Sequence, residues 1–312
     1  MSKNQTSFKG VFILLLTAFI WGISFVSQSQ GAEHVQPFTF MGIRTFMGAC
    51  VLLPFILLRD KISAKKMTDK EIADRRVQNK KTIFYGMIMG VFLATATNFQ
   101  QFAFNYSTAG KIAFITAMYM FFVPLLGLFF RKRLPIITWL AIILGFVGIY
   151  FLSFAKGAGF GDLNKGDILA LICSLFFTGQ ILLIERFTKT CDGVKLSCVQ
   201  FYTAGTITLI LMVIFEEPHW ADIKAAALPL LYSGIMSCGI AYTLQVVGQK
   251  YCEASIASLL MCMESVFAVL AAAVLLQERL SGREIMGCLI MFGAILLSQV
   301  TDIVKARRGV SD

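Results

Sequence analysis

Ten long apolar segments occupy almost all of this 312-residue chain. A helix of about 20 residues rises about 1.5 Å per residue, which is enough to cross the roughly 30 Å hydrocarbon layer of a membrane. Because lipid offers no hydrogen-bond partner to the backbone, such segments must be helices. The predicted spans are Phe8–Gln28, Pro37–Leu58, Thr82–Phe104, Lys111–Phe130, Pro135–Phe154, Asp167–Phe187, Leu196–Phe215, Ala227–Val247, Ser255–Leu276 and Ile285–Ile303.

The composition agrees with a lipid-facing surface. Hydrophobic residues make up 57% of the chain, charged residues only 15%, and the mean hydropathy is +0.74. A soluble core of this size does not need so much apolar surface. We therefore predict an all-α integral membrane protein with ten transmembrane helices, embedded in the lipid bilayer of the cell membrane.

The basic residues follow a topology. If the N-terminus is cytoplasmic, 21 Lys and Arg residues fall in inner segments and six in outer segments, and the loop Arg59–Lys81 alone holds nine. The positive-inside rule then places both termini in the cytoplasm. The net charge of +10 is explained by this bias, so no nucleic-acid partner is predicted. Thr68 and Glu71 have the spacing of a capping box, which predicts a short surface helix in the loop.

The second half of the chain resembles the first. FRKRLPIITWLAIILGFVGIYFLS around the fifth span matches LQERLSGREIMGCLIMFGAILLSQ around the tenth, with Arg133-Leu134 over Arg279-Leu280. A unit of five spans reverses its orientation on repetition, because five is odd. We predict two inverted five-helix repeats, residues 1–155 and 156–312. Secondary carriers with this plan bind their solute near the bilayer midplane, between the repeats.

Several motifs together resemble the drug/metabolite transporter superfamily, specifically its ten-helix EamA-type branch. They are Trp21-Gly22, PFTFMGIRTFMGA with Arg44, YSTAGKIAFITA from Tyr106, and MESVFAVLAAAVLLQERLSGREIMGCLIMFGAIL. The resemblance covers roughly residues 10–300 and implies a carrier that exports small metabolites or drugs. Glu264-Ser265 stands where the branch often has Thr-Pro, which indicates a different substrate or coupling group.

Two ionisable residues inside spans are the first candidates for the transport site. Glu264 lies about 9 residues, or about 14 Å, into its span. Buried carboxyls favour their neutral form, and intramembrane ionisable residues usually face a cavity, so Glu264 is a candidate proton carrier. Arg44 lies at a similar depth and could hold a carboxylate of the solute. The alternatives are a structural pair between these residues, an internal hydrogen bond to Glu264, or snorkelling of Arg44.

A looser set of polar and aromatic residues lies inside the spans, where each could offer a hydrogen bond or an aromatic face to a solute. Trp and Tyr near span ends also occur as interfacial anchors, which is the alternative for the aromatic members. The set comprises Trp21, Asn98, Gln101, Tyr119, Thr178, Gln180, Tyr242 and Gln245.

Enzyme motifs are missing from the sequence. The two histidines, His34 and His219, fall in predicted outer loops, and HExxH and GxxxxGKS do not occur. The eight cysteines include no CxxC pair, so they read as apolar filler. We therefore predict no catalysis, metal or cofactor.

The favoured function is a secondary active transporter that exports a small organic solute by alternating access, with proton coupling through Glu264. A sugar-phosphate or nucleotide-sugar carrier of the same superfamily is a second hypothesis. It ranks lower because such solutes need several cations, and the spans offer Arg44 and, at a span end, Lys111. An integral-membrane lipid-modifying enzyme is the third, from another class.

Overall fold

The computed structural model describes residues 7–64, 67–107, 109–129, 135–153, 164–275 and 281–308, and its regular structure over these residues is helical. In chain order the α-helices are α1 Phe8–Ala32, α2 Pro37–Ala64, α3 Asp69–Ala103, α4 Ala109–Thr116, α5 Tyr119–Phe129, α6 Ile136–Ser153, α7 Lys165–Phe187, α8 Gly193–Phe215, α9 Trp220–Ala225, α10 Ala227–Leu231, α11 Tyr242–Gly248, α12 Ala254–Met261, α13 Met263–Leu275 and α14 Gly282–Arg308. A π-helix, Tyr232–Ala241, joins α10 to α11.

Within the described residues, seven helical segments are long and apolar enough to cross a membrane. They correspond to the first three predicted spans and to the sixth through the ninth. Two shorter apolar stretches, Ile112–Leu128 and Ile136–Phe151, cover the fourth and fifth, and α14 contains the tenth. The protein is thus a multi-pass, all-helical membrane protein, while the count of ten crossings stays a prediction. The repeat boundary near residue 155 and both Arg-Leu pairs lie outside the described residues.

Helix α3 differs from the predicted span by starting at Asp69 and running for 35 residues. The predicted capping box is present, since Thr68 accepts from the Glu71 N–H and Glu71 accepts from the Thr68 N–H. The hydrogen bonds that the Thr68 N–H and the Thr68 hydroxyl donate to the Glu71 carboxylate lower the pKa of Glu71. The predicted surface helix continues into the span because the segment between them contains neither Gly nor Pro and is rich in helix-forming residues.

Two predicted spans are broken in the structure. The fourth divides into α4 and α5 at Ala117-Met118, and the ninth divides into α12 and α13 at Cys262. At both breaks the backbone forms tighter bonds to the third residue back: Met120 N–H donates to Ala117 O, and Ser265 N–H to Cys262 O. When the two halves are aligned on their Arg-Leu pairs, Ala117 matches Met263, so the two breaks lie one residue apart.

The helices pack in a recurring arrangement. Helix α2 packs along α8, and α6 along α14. Helix α3 packs on α7 and α8, while α1 packs on α13, α11 and the π-helix. Small residues allow the closest approaches: a Cβ on Gly148 would lie only 2.9 Å from the backbone nitrogen of Met291. Many large apolar side chains remain exposed around the bundle, as expected for a surface in contact with lipid.

Candidate functional site

A buried cavity lies among the central helices and is lined by residues of α1 to α5, α7, the π-helix and α11 to α13. Its volume is about 40 Å³, which is room for about three water molecules. Of the ten residues predicted for the site, six line this cavity: Trp21, Arg44, Tyr119, Tyr242, Gln245 and Glu264.

The two charged residues of the cavity are both buried. Arg44 is 2% exposed and Glu264 is 8% exposed. Both are described, yet no Arg44 nitrogen lies within 4.0 Å of a Glu264 oxygen, so the two do not form an ion pair. The Arg44 Nε and Nη1 atoms have no hydrogen-bond acceptor. A buried guanidinium with free donors is costly, which makes it a ready site for an anionic group.

The two helix breaks place Tyr119 and Glu264 at the cavity. Tyr119 is the first residue of α5, and Glu264 is the second residue of α13. The Tyr119 hydroxyl lies close to the Glu264 carboxyl and to the Cys262 thiol, but it forms a hydrogen bond of good geometry with neither. Broken helices meeting at one place supply polar groups deep in a membrane, as they do in transport sites.

An aromatic wall closes one side of the cavity. The rings of Trp21 and Tyr242 meet edge to face at 4.6 Å, and Tyr242 meets Phe201 in the same way at 5.7 Å. The Trp21 Nε1 atom is buried without an acceptor. Tyr242 follows the π-helix, whose wider turn also directs Ser237 to the cavity. π-Helical turns occur frequently at functional sites.

A chain of buried amides leads away from the cavity. Gln245 Nε2 donates to Gln180 Oε1, and Gln180 Nε2 donates to Gln200 Oε1, both at 3.4 Å. Gln180 is therefore one residue removed from the cavity. The three side chains come from α11, α7 and α8, so the amides join these helices through polar contacts in the buried interior.

The other three predicted residues lie elsewhere. The Thr178 hydroxyl donates to Ser174 O of its own helix at 2.8 Å, and Asn98 Nδ2 donates to Thr208 Oγ1 at 2.8 Å. Asn98 lines a separate groove between α7 and α8. Gln101 is 1% exposed, and neither end of its amide has a partner.

Sequence analysis missed four polar residues that line the cavity: Gln28, Gln100, Thr116 and Ser237. Gln100 Nε2 donates to Thr116 Oγ1 at 3.5 Å, which bridges α3 and α4. Neighbouring residues of a helix point about 100° apart, so Gln100 and Gln101 lie on different faces of α3. The face with Gln100 meets the cavity, and the face with Gln101 does not. The signal that could have found Gln28 and Gln100 is their position as amides inside apolar spans.

Polar contacts tie the α2–α8 pair together at both ends. At one end the Glu216 carboxylate accepts hydrogen bonds from the Phe38 N–H at 2.8 Å and from the Thr39 N–H and hydroxyl, each at 2.7 Å. The carboxylate thus satisfies donors at the N-terminus of α2, where the helix dipole also favours a negative charge. We refer to this as the Glu216 contact.

The opposite end carries a group of charges, the Asp60 cluster, which comprises Arg59, Asp60, Arg75, Asp192 and Lys195. Lys195 lies 2.6 Å from Asp60, Arg59 lies 3.0 Å from Asp192, and Arg75 also pairs with Asp60. Partial burial alone would raise the pKa of Asp192, but hydrogen bonds from the Lys195 N–H and from Arg59 lower it below its ordinary value. The Asp192 carboxylate therefore stays ionised near neutral pH.

Comparison with known proteins gives a consistent result. The sequence profile of the "EamA-like transporter family" matches residues 8–154 and, separately, residues 164–299. An "Uncharacterized transporter" of Archaeoglobus fulgidus is 27% identical over 91% of this chain and 83% of its own length. Another of Clostridium kluyveri is 23% identical over 92% of both chains, and the "Uncharacterized transporter YoaV" of Bacillus subtilis is 21% identical over 92% of this chain and 96% of its own.

A solved crystal structure of a protein at 17% identity is similar to this chain with a TM-score of 0.77. The similarity covers 94% of this chain and 97% of the other. At this identity the comparison concerns the fold alone.

Proposed function

This chain belongs to the EamA-like transporter family of the drug/metabolite transporter superfamily, and on that premise we propose that it is a secondary active exporter of a small organic metabolite or drug. The observation that carries the proposal is a buried cavity with two opposite charges that do not pair, Arg44 and Glu264. A buried charge without a partner lowers the stability of the protein. Binding of a solute anion at Arg44 and of a proton at Glu264 would remove this cost.

The proposed architecture is two inverted five-helix repeats with both termini in the cytoplasm. The helix contacts support it, because exchanging the two halves of the chain maps the main helix–helix contacts onto one another. Helix α3 packs on α7 as the π-helix and α11 pack on α1, and α7 packs on α4 and α5 as α1 packs on α12 and α13. The two separate matches to the family profile support it as well. The basic residues of the Asp60 cluster support a cytoplasmic location for that end.

In the proposed mechanism the cavity opens to one side at a time. The Asp60 cluster and the Glu216 contact tie the same two helices at opposite ends, and the cavity between them has room only for water. A solute enters when one end separates while the other stays tied. Binding shifts the balance between the two open states only as far as the solute and the proton bind them differently.

The single cation at the cavity among the described residues argues against a sugar-phosphate or nucleotide-sugar solute, which would need several. The side chain of Lys111, the other cation considered for such a site, lies outside the described residues. An integral-membrane enzyme also fits less well, because the curated relatives are named as transporters.

A ligand screen tests the proposal. A solute that binds the folded protein stabilises it by mass action and should raise its melting temperature. At a solute concentration of 100 times the Kd, the free energy of unfolding increases by about 2.7 kcal/mol. In a screen of amino acids, nucleobases and cationic dyes we expect the hit among the amino acids, whose carboxylate can bind Arg44, and we expect that hit to accumulate in proteoliposomes under a pH gradient. Hits that are never translocated, or that are chemically changed by the protein, would contradict a carrier.

Removing charge from the Asp60 cluster should favour the cytoplasmic-open state. Asp60→Asn keeps the side-chain shape but weakens the contacts to Lys195 and Arg75. Partly exposed ion pairs contribute about 1 kcal/mol or less each, so we expect an approximately five- to tenfold rise in cavity accessibility from the cytoplasm. The measurement is labelling of a Gln245→Cys reporter by an impermeant thiol reagent, in a background without native cysteines.

Glu216→Gln is the matched variant at the other end and should raise labelling from outside instead. Asp69→Asn, in the first turn of α3 and outside the cluster, should change neither rate. Equal changes on both sides for Asp60→Asn would mean that the cluster supports folding rather than closure.

A further inference from the structure

A groove on the lipid-facing side of the molecule encloses a larger space than the central cavity. The groove lies over α3, between α7 and α8, and has a volume of about 650 Å³. That is within the range of about 300–1,000 Å³ of ligand sites. Its floor includes Phe99 and Phe102 of α3, and its walls include Leu169 of α7 and Leu211 of α8. It is open to the bilayer, since Val91 at one end is 48% exposed.

The groove has the length of one leaflet. Its floor runs from Val91 to Phe102, which is about 17 Å along the axis of α3. Half of the roughly 30 Å hydrocarbon layer is about 15 Å. An apolar channel of that length, opening sideways into the membrane, matches a single extended acyl chain. A compact polar solute would leave most of this apolar lining uncovered.

One end of the groove carries a cation at the level of the headgroups. Lys165 is the first residue of α7, and Tyr106 stands beside the groove in the turn after α3. Both are exposed, and among the described residues no carboxylate lies within 4.0 Å of the Lys165 Nζ atom. An amine at the mouth of an acyl-chain groove is complementary to the phosphate of a lipid.

We propose that this groove binds an anionic phospholipid, with one acyl chain along α3 and its phosphate at Lys165. The site is distinct from the transport cavity, and it stands on its own geometry whether or not the chain is an exporter. It also touches the transport site indirectly, because α7 contributes Phe177 and Ile181 to the central cavity. A lipid held between α7 and α8 therefore contacts a helix that lines that cavity.

The preference of the protein for one lipid headgroup over another tests the contact between Lys165 and the lipid phosphate. The full-length protein, purified in detergent, is exposed to mixed micelles of phosphatidylglycerol and phosphatidylcholine, and retained lipids are counted by native mass spectrometry. We expect one retained phosphatidylglycerol in preference to phosphatidylcholine, with the preference falling about fivefold in Lys165→Gln. Lys224→Gln, an exposed lysine outside the groove, should leave the preference unchanged.

Filling the groove tests the acyl-chain part. Leu211→Trp should reduce retention of both lipids, whereas Ile210→Trp, at the neighbouring exposed position outside the groove, should not. If Leu211→Trp does not fold, Thr95→Phe fills the same groove from α3 and carries the same expectation. An unchanged headgroup preference in Lys165→Gln, or equal retention by the filled and control variants, would overturn the proposal.

Discussion

Replacing Glu264 by glutamine should abolish gradient-driven transport while solute binding to the cavity survives. Glutamine keeps the size of the side chain and its hydrogen-bonding capacity, but it does not take up and release a proton. If Glu264 carries the coupling proton, the variant loses the link between the pH gradient and the solute. Coupling free energies of about 1–3 kcal/mol correspond to effects of about 5- to 150-fold, so we expect a loss of accumulation in that range.

The measurement uses proteoliposomes loaded with the solute found in the ligand screen. Wild-type protein should accumulate the solute under an imposed pH gradient and should also exchange labelled for unlabelled solute without one. Glu264→Gln should retain only the exchange. Glu33→Gln, an exposed carboxylate beyond the end of α1, is the control and should behave as wild type. Full gradient-dependent accumulation by Glu264→Gln would rule out the coupling role.

Replacing Arg44 by methionine should weaken solute binding and at the same time stabilise the empty protein. Two of its guanidinium nitrogens are buried without acceptors, so the residue is held at a cost to stability. Removing an unsatisfied buried group recovers about 1–3 kcal/mol. A lost charged hydrogen bond to the solute contributes about 1.5–3 kcal/mol, which lowers affinity about 10- to 150-fold.

Thermal unfolding with and without solute separates these effects. Arg44→Met should melt at a higher temperature than wild type when empty and should gain little from added solute. Arg76→Met replaces an exposed arginine on the surface part of α3 and should change neither quantity. If Arg44→Met instead melts at a lower temperature, Arg44 has a structural role and the anion site lies elsewhere.

The sequence predicted the helical segments well because apolar length is a direct physical signal. It also singled out Arg44 and Glu264 as ionisable residues inside apolar spans; both line the central cavity, and their role in transport stays a prediction. The breaks at Ala117-Met118 and Cys262 could not be predicted, because neither has a local glycine or proline to mark it. Tertiary contacts, rather than local propensity, determine where those helices are interrupted.

The polar lining was predicted less completely for a related reason. Amides inside spans were recognised as a class, but their direction depends on the rotation of each helix. The π-helix Tyr232–Ala241 changes that rotation by an extra residue per turn, so the direction of Ser237 does not follow from regular helical spacing. The Thr178 hydroxyl bonds within its own helix, and the sequence alone does not show whether a threonine hydroxyl is satisfied in this way.

Helix α3 has a mechanical consequence. Its 35 residues form an uninterrupted rod about 52 Å long, with Thr68 and the basic surface turns at one end and Gln100 near the other. Because the helix is continuous, a change in tilt at one end also moves the other end. Lipid headgroups, salt or a docking partner that bind or release the charged N-terminal end of α3 would therefore also move the Gln100 amide at the central cavity.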